Sequence, residues 1–358
     1  MNKMDNVKLD SEDVDDYLIS QVLGKLFIRD DTQSCKFRTA LKGTGLKIFT
    51  PIEDKGYFTW SPMDYSSALQ GIEKVNSAKA VKDAIDIHGT PNILKDIKKV
   101  KKTTRLPRSF LSLSPNEKDN LFPYGQIDVA SMHVAAHHRG VDWTKIDFCF
   151  GGSTLEMLAQ KSNKDPYKAV RIPGTKTICV SKSKRYTQNQ ADPGFQFERL
   201  MTGKDMSERS NWKSTEHIHT MKVGEFNVLF MAEVDAMDEK RPVEIKASNP
   251  RYWGTKVMFQ MISNGSPTLC HGIKRFGQLA DIELLTLEEV SETAMNSSFV
   301  PIEKNIIEGM KSLKSILKME KKENDTFSVQ FSGGRLQLIP TRDEKILPSP
   351  KIVKELVL

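Results

Sequence analysis

The segment 230–246 constrains the fold more than any other part of the sequence. It predicts two short strands joined by a turn, because apolar and charged residues alternate on both sides of a polar, proline-containing stretch. Residues i and i+2 of a strand share a face, so Glu233 and Asp235 point one way, and Glu244 and Lys246 share a face of the second strand. If the polar faces align, these acids and the amine converge. Like charges so close repel strongly in a low-dielectric site, so the pattern predicts a bound cation.

The composition indicates an intracellular globular protein. At 358 residues and 38% apolar content, the chain is long enough to bury a large core. No apolar run approaches the roughly 18 residues of a membrane span, and the first residues lack the apolar core of a signal peptide. The four cysteines are widely spaced without a CxxC pair, which favours reduced thiols in the nucleus or cytoplasm. We therefore expect no membrane association and no secretion, and the net charge of +7 is compatible with a polyanionic partner.

Predicted helices and strands are mixed along the chain, and no repeat or low-complexity tract divides it. Amphipathic helices are expected near 11–27, 252–262 and 306–317, and strands near 37–59, 282–287 and 327–339. The expected fold is a mixed α/β (α+β) single domain over residues 1–358, with central mixed β-sheets flanked by helices and a core like that of PD-(D/E)xK nucleases. The polar range 163–220 is expected to be an insertion or extended loop, and 340–358 a C-terminal tail.

The spacing from Asp235 to Lys246 has the form D-x8-E-x-K, which is found in the PD-(D/E)xK nuclease class. Hard cations such as Mg²⁺ prefer carboxylate and carbonyl oxygens, so the backbone carbonyl of Ile245 can add a ligand. Two such ions about 4 Å apart would polarise a phosphate and lower the pKa of a bound water. A neighbouring lysine can position that water. The alternative is an amphipathic hairpin whose charged face lies in water, since this spacing also occurs by chance.

Further residues extend this motif in order along the chain. Gly152 to Glu156 places an acid at the start of a predicted helix, and Gln260 lies on the helix after the hairpin. A small-residue and proline turn, 264–267, follows that helix, and Arg105 lies upstream. With Glu-x-Asp and Glu-x-Lys between them, this order resembles the decapping exoribonuclease (DXO) family over residues 100–290. Ser153, Thr154 and Leu155 stand between Gly152 and Glu156 where the family usually has bulky residues, so the chain resembles a divergent member.

The resemblance implies roles for these residues. The implied metal ligands, for two Mg²⁺ or Mn²⁺ ions, are Glu156, Glu233, Asp235, Glu244 and the carbonyl oxygen of Ile245. The implied catalytic residues are Glu233, Asp235, Lys246 and Gln260. Lys246 and Gln260 would contact the scissile phosphate or the attacking water, and Arg105 would bind phosphates near the RNA 5′ end, which suits a guanidinium group.

The implied function is metal-dependent hydrolysis at RNA 5′ ends in RNA quality control. The family removes incomplete or non-canonical caps, including NAD caps, releases pyrophosphate from 5′-triphosphate ends, and degrades RNA from 5′ to 3′. The expected partner is therefore RNA with a 5′ cap, NAD cap, triphosphate or monophosphate. Some family members also have an exoribonuclease partner, which one sequence does not reveal. Two alternatives stay open: an RNA 5′-end-binding protein that has lost turnover, and a DNA nuclease of the PD-(D/E)xK class.

Overall fold

The structure is a computed structural model that describes residues 31–60, 77–83, 85–86, 91–100, 121–124, 136–182, 186–189, 193–203, 214–239, 241–247, 249, 253–276, 278–296, 298, 300–341, 347 and 349–357. The helices in these ranges are α1 (Asp31–Gly43), α2 (Ala78–Asp83), α3 (Gly152–Gln160), α4 (Pro193–Thr202), α5 (Gly254–Asn264), α6 (Leu287–Asn296), α7 (Ile302–Leu313), α8 (Ile316–Met319) and α9 (Pro350–Val357). None of them combines the length and apolar character needed to cross a membrane.

The strands in the same ranges form two mixed sheets and a two-stranded ribbon. They are β1 (Phe49–Trp60), β2 (Ile85–Asp86), β3 (Leu121–Tyr124), β4 (Phe148–Phe150), β5 (Tyr167–Arg171), β6 (Ile178–Lys182), β7 (Tyr186–Asn189), β8 (Ser214–Val223), β9 (Phe226–Glu233), β10 (Ala236–Asp238), β11 (Arg241–Lys246), β12 (Thr268–Arg275), β13 (Gln278–Thr286), β14 (Thr326–Ser332) and β15 (Arg335–Thr341). The ribbon pairs β3 with β7.

The larger sheet has nine strands in the order β15-β14-β5-β6-β4-β9-β8-β1-β2. Strand β9 lies inside it, parallel to β4 and antiparallel to β8. Val228 and Phe230 pack into one hydrophobic cluster, whereas Leu229 and Met231 pack into the cluster on the opposite face. Burial on both faces explains why β9 is a nearly continuous apolar run rather than an alternating one.

The smaller sheet has the order β10-β11-β12-β13. Strands β10 and β11 form a tight antiparallel hairpin, and β12 runs parallel to β11 with His271 opposite Lys246. Helix α5 connects β11 to β12, as parallel neighbours require a crossover. It packs Met258, Phe259 and Ile262 into the main core.

The expectation of a single mixed α+β domain with mixed sheets flanked by helices is confirmed. The hairpin with Gly333 and Gly334 in its turn is also present, between β14 and β15. The range 163–220, expected to be an insertion or extended loop, contains β5, β6 and α4 and most of β8. Its polar composition hides these strands because β5, β6 and β8 lie inside the larger sheet and bury polar side chains there, among them Lys168, Glu216 and His217. The expected tail, 340–358, ends in α9, where Val353 and Leu356 are buried.

Candidate active site at the junction of the two sheets

The chain passes from the larger sheet to the smaller one at Val234 and Asp235. Strand β9 ends at Glu233, and β10 begins at Ala236. The predicted hairpin therefore differs from the observed one, because β9 pairs with β4 and β8 and only the short β10 pairs with β11. Asp235 still faces β11, where one of its carboxylate oxygens accepts a hydrogen bond of 2.7 Å from the backbone N–H of Ile245.

Asp235, Glu244 and Lys246 converge as the alternation predicts. The ammonium of Lys246 forms an ion pair with Glu244 and lies 3.3 Å from Asp235 Oδ2. It also donates to the carbonyl oxygen of Ile245 at 3.1 Å. Both carboxylates are nearly inaccessible, with Glu244 exposing 2% and Asp235 8% of its surface. We call Asp235, Glu244 and Lys246 the carboxylate cluster.

The carboxylate cluster holds one negative charge more than its amine can balance. Burial, followed by the charge of Asp235, raises the pKa of Glu244 to about 7, although Lys246 opposes the shift. Burial alone would lower the pKa of Lys246, but Asp235 and Glu244 raise it above its usual value. The site therefore keeps its lysine charged.

Asn264, the last residue of α5, forms hydrogen bonds to the cluster and to the end of β9. Its side-chain nitrogen donates to Glu244 Oε2 at 2.6 Å and to the carbonyl oxygen of Glu233 at 3.0 Å. Its side-chain oxygen accepts from the N–H of Ser266 at 3.1 Å. Gly265 follows with a φ of +73°, a left-handed position that ends the helix and suits glycine. One buried amide thus joins the end of β9 to β11.

Glu156 lies on α3, which crosses close to α5. Gly152 allows this approach, because a Cβ there would lie 2.6 Å from Ser263 Oγ and would also collide with the carbonyl oxygen of Phe259. Burial raises the pKa of Glu156, while the charges of Lys256 and then Lys182 oppose the shift. The carboxylate of Glu156 thus faces a group of lysines that the sequence did not associate with it.

Gln260 lies on α5, one helical turn before Asn264. Its Oε1 atom is buried and has no hydrogen-bond partner among the described residues. An unpaired buried acceptor costs free energy unless water or a ligand satisfies it. Glu233 is half-buried at the end of β9, directly across from Glu216 on β8. Directly opposite carboxylates repel, which adds to the excess of negative charge near the site.

The chemistry of these donors fits a hard divalent cation. Asp235, Glu244 and the carbonyl of Ile245 offer oxygen ligands, and burial and the charge of Asp235 raise the pKa of Glu244, a shift that a bound cation would oppose. However, within the described ranges no three carboxylate, imidazole or thiolate side chains are grouped closely enough to hold a metal ion. Lys246 itself contacts both carboxylates, so a bound metal ion would have to share these two groups with the ammonium group of Lys246.

Comparison with solved structures identifies the architecture. Rai1 from S. pombe superposes with a TM-score of 0.60 at 12% identity, covering 82% of this chain and 95% of that one. The chain has the Rai1/Dxo1 fold. Rai1 from Candida albicans gives a TM-score of 0.55 at 13% identity, with 86% and 96% of the chains covered, and Dxo1 from K. lactis gives 0.50 at 13%, with 83% and 91% covered.

No sequence-family profile matches the chain, and no curated protein sequence does. The predicted resemblance to the DXO family is thus confirmed at the level of the fold. The Rai1/Dxo1 fold accounts for the mixed larger sheet and for the smaller sheet that carries the carboxylate cluster. The roles assigned to individual residues stay predictions.

A second polar group packs on the other side of Asn264 in this Rai1/Dxo1 fold. The rings of Tyr57, His217, His219 and Phe230 stack in a column. His217 bonds to Asp54 at 3.0 Å and to the carbonyl oxygen of Asn264 at 2.8 Å, and His219 bonds to the carbonyl oxygen of Ser263 at 2.6 Å. We call these four rings, together with Asp54, the histidine column. Both histidines are buried.

The histidine column balances its own charge. Burial alone would lower the pKa of His217, but Asp54 raises it, and His217 in turn holds the pKa of Asp54 well below its usual value although burial opposes this. Burial, together with the neighbouring charge of His217, lowers the pKa of His219 to about 3. Asp54 borders a pocket also lined by Phe37, Ile52 and Pro267.

Of the predicted site residues, Arg105 lies outside the described ranges. Asp235, Glu244, Ile245 and Lys246 meet at the junction, Glu233 ends the neighbouring strand β9, and Glu156 and Gln260 lie on α3 and α5. Three neighbours were not assigned roles from the sequence: Asn264, Glu216, and Glu198 of α4, whose charge helps to raise the pKa of Lys246. Of these three, only Asn264 could have been found from the sequence, because it is the first residue of the small-residue turn after the helix.

Proposed function

We propose that this protein is a divalent-metal-dependent hydrolase of RNA 5′ ends. The observation that carries the proposal is the convergence of Asp235, Glu244, Lys246 and the Ile245 carbonyl on a Rai1/Dxo1 fold. Rai1 of Candida albicans was crystallised with pU5 and Mn²⁺, and Rai1 of Scheffersomyces stipitis with 3′-NADP and calcium. These ligands support an RNA 5′ end and a divalent cation as the occupants of the corresponding site here.

The proposed ligands are Glu156, Glu233, Asp235, Glu244 and the Ile245 carbonyl, for one or two ions of Mg²⁺ or Mn²⁺. When bound, the metal supplies charge that polarises the scissile phosphate and lowers the pKa of water. Asp235 and Glu244 fix the acidic side of the site, and the N–H of Ile245 orients Asp235.

Lys246 and Gln260 would do the remaining positioning. Lys246 stays protonated beside two carboxylates, so it can offset negative charge that develops on the phosphate. The unpaired Oε1 of Gln260 can accept a hydrogen bond from the attacking water and so orient it. Arg105 would bind the 5′ phosphates.

The range of substrates is the finer part of the proposal. We infer action on incomplete and non-canonical caps, including NAD caps, and on 5′-triphosphate ends, with 5′-to-3′ degradation afterwards. The S. pombe Rai1 complex with 3′-FADP supports recognition of a dinucleotide-type end. The proposed setting is RNA quality control in the nucleus or cytoplasm.

A digest of defined 5′ ends tests the proposal. RNAs with methylated, unmethylated and NAD caps, triphosphate and monophosphate ends, and a single-stranded DNA, are incubated with Mn²⁺ or EDTA, and products are resolved by mass. Asp235→Asn should abolish the metal-dependent products. Asp238→Asn is the matched control, because Asp238 lies in the same hairpin and pairs with Arg241 on the surface. Activity that survives in Asp235→Asn or in EDTA contradicts the proposal, and cleavage of DNA alone would assign the site to a DNA nuclease.

One observation favours a second candidate, an RNA 5′-end-binding protein without turnover. Lys246 contacts both carboxylates, and Glu156 faces lysines rather than the cluster. A site in which a lysine occupies the carboxylates in place of a metal ion could bind a 5′ end without cleaving it. It predicts end-specific binding with no product at any Mn²⁺ concentration in the same digest.

A further inference from the structure

The turn between β12 and β13 carries a residue that its backbone disfavours. Arg275 pairs with Gln278, and Phe276 follows Arg275 in the turn that joins the two strands. Phe276 has a φ of +52°. In this left-handed region the Cβ of an ordinary residue is crowded, so glycine, asparagine or aspartate usually occupies it. A phenylalanine here is retained against local preference.

The hairpin of β14 and β15 shows the usual solution. Ser332 pairs with Arg335, and the two loop residues are Gly333 and Gly334, with φ of +55° and +75°. The chain thus builds one two-residue turn from glycines and starts the other with an aromatic residue. Phe276 is also fully exposed, at 105% of its reference surface. Among the described residues, no packing partner of the ring offsets the strain.

Phe276 projects from the end of the smaller sheet that holds the carboxylate cluster. His271 lies opposite Lys246 on the parallel strand β11. Strand β12 then continues past the end of β11 for five residues to Phe276, a span of about 16 Å at about 3.3 Å per residue. A register shift after Ile273 bends this extension. The aromatic tip therefore lies beyond the end of β11 that carries Lys246, within reach of a single strand bound at the cluster.

Basic residues accompany the ring. Lys274 and Arg275 are exposed and directly precede Phe276. The nearest carboxylate along the hairpin is Asp281, which lies opposite Ile273, farther from the tip than either cation. An exposed aromatic ring beside cations is the combination that binds single-stranded nucleic acid, because bases stack on the ring and phosphates pair with the charges.

We propose that Phe276 and Arg275 form a stacking site for RNA nucleotides downstream of the 5′ end. The inference rests on the proposed function and deepens it. The ring of Phe276 stacks on a base of the single strand leaving the carboxylate cluster, and Arg275 pairs with an adjacent phosphate. The site thus favours RNAs whose unpaired 5′ segment is long enough to reach the tip.

Binding of oligouridylates of two lengths tests this inference. The probes are 5′-phosphorylated 3-mer and 12-mer with a 3′ fluorophore, and anisotropy is measured in EDTA, which prevents metal-dependent cleavage. Phe276→Asn is the key variant, because asparagine suits a positive φ and the fold is kept. It should weaken binding of the 12-mer about 5- to 100-fold, as expected for one stacked base, and leave the 3-mer unchanged. Phe276→Trp should preserve the length dependence.

Two matched controls isolate the ring and the charge. Ile339→Thr removes another exposed apolar side chain, on β15, and should not alter 12-mer binding. Arg275→Gln should lower the salt dependence of 12-mer binding by about one counterion, whereas Arg335→Gln, beside the glycine turn, should not.

The outcomes separate this inference from the proposed function. If the wild-type protein converts RNA 5′ ends with Mn²⁺ but Phe276→Asn keeps the full length dependence, the stacking site is wrong and the function stands. If the wild-type protein neither binds nor converts any RNA end, both are wrong. If Phe276→Asn changes only the sedimentation of the protein alone, the ring belongs to a contact between protein copies and the RNA site is overturned.

Discussion

The carboxylate cluster and the histidine column are two buried polar groups on opposite sides of the end of α5. Both are tied to that helix end, the cluster through the side chain of Asn264 and the column through the backbone carbonyls of Ser263 and Asn264. They differ in charge balance. The cluster has two carboxylates for one amine, whereas Asp54 and His217 neutralise each other and His219 stays neutral.

This difference indicates which group is built to receive a ligand. A charge-balanced buried pair is not stabilised by a further ion, so we interpret the histidine column as a structural group. An excess of buried negative charge is costly without a cation, which supports the proposal that the carboxylate cluster binds one. The contrast predicts opposite responses to mutation and to pH.

The largest expected effect is on turnover by Glu244→Gln. Removing one carboxylate from the cluster should lower metal-dependent RNA hydrolysis by about 10²- to 10³-fold, the range seen when a key electrostatic group is lost. His219→Phe, in the column, should leave turnover nearly unchanged. Initial rates with a 5′-triphosphate RNA and Mn²⁺ measure both. Comparable losses of turnover in the two variants would contradict the inferred difference between the carboxylate cluster and the histidine column.

The second effect is the pH dependence of stability from Glu244. Its pKa is raised from 4.5 to about 7, so the folded state holds a proton that the unfolded state releases between those values. The metal-free protein should therefore lose stability as pH rises across this window, by about 3 kcal/mol in total. Urea unfolding in EDTA at several pH values measures the slope. Glu244→Gln should flatten it, and an unchanged slope in that variant would contradict the assignment.

The third effect has the opposite sign and comes from His219. Its pKa is lowered from 6.5 to about 3, so the unfolded state binds a proton that the folded state excludes. Stability should fall as pH decreases below 6.5, by about 2 kcal/mol on reaching about pH 5. His219→Phe should remove this acid-side loss in the same unfolding series. If His219→Phe instead removes the loss of stability at higher pH, the assignment of the two pH effects to His219 and Glu244 is wrong.

The smallest effect concerns the amide that separates the groups. Asn264→Ala removes the bond to Glu244, so Mn²⁺ affinity should fall about 10-fold, as for other residues that orient metal ligands. Asn305→Ala is the matched control, because Asn305 is also buried and donates to a backbone carbonyl, that of Ala159, at 2.8 Å. It should lower stability without changing Mn²⁺ affinity, which calorimetric titration measures. An equal loss of affinity in both variants would show a general loss of packing.

The sequence predicted the carboxylate cluster because strand alternation is a local property. Asp235, Glu244 and Lys246 share faces in any strand pairing that keeps the turn, so their convergence required no knowledge of the rest of the fold. The partner of β9 was not predictable in this way. Its apolar run fits several pairings, and the choice of β4 and β8 depends on segments far away in the sequence.

The surroundings of the cluster were also beyond local reasoning. Glu156 meets Lys256 because Gly152 lets α3 approach α5, and such a crossing depends on how whole helices pack. From the sequence, Asn264 was interpreted as a turn residue, because its local pattern does not predict which carboxylate its amide will bond to. The positive φ of Phe276 was invisible for a related reason: residue preferences predict glycine or asparagine there.

Strand β9, with neighbours on both sides and a core on each face, has a consequence for motion. Its amides can exchange with solvent only when the whole domain unfolds, so they should be among the slowest to exchange. The three-residue strand β10 pairs with β11 on one side and, among the described residues, is held on the other only by a bridge between Met237 and Ile93, so we expect it to open locally more readily than β9. Asp235 lies between β9, whose amides should exchange slowly, and β10, whose amides should exchange faster. One side of the site is thus anchored for the lifetime of the fold, while the other can yield as a substrate enters and leaves.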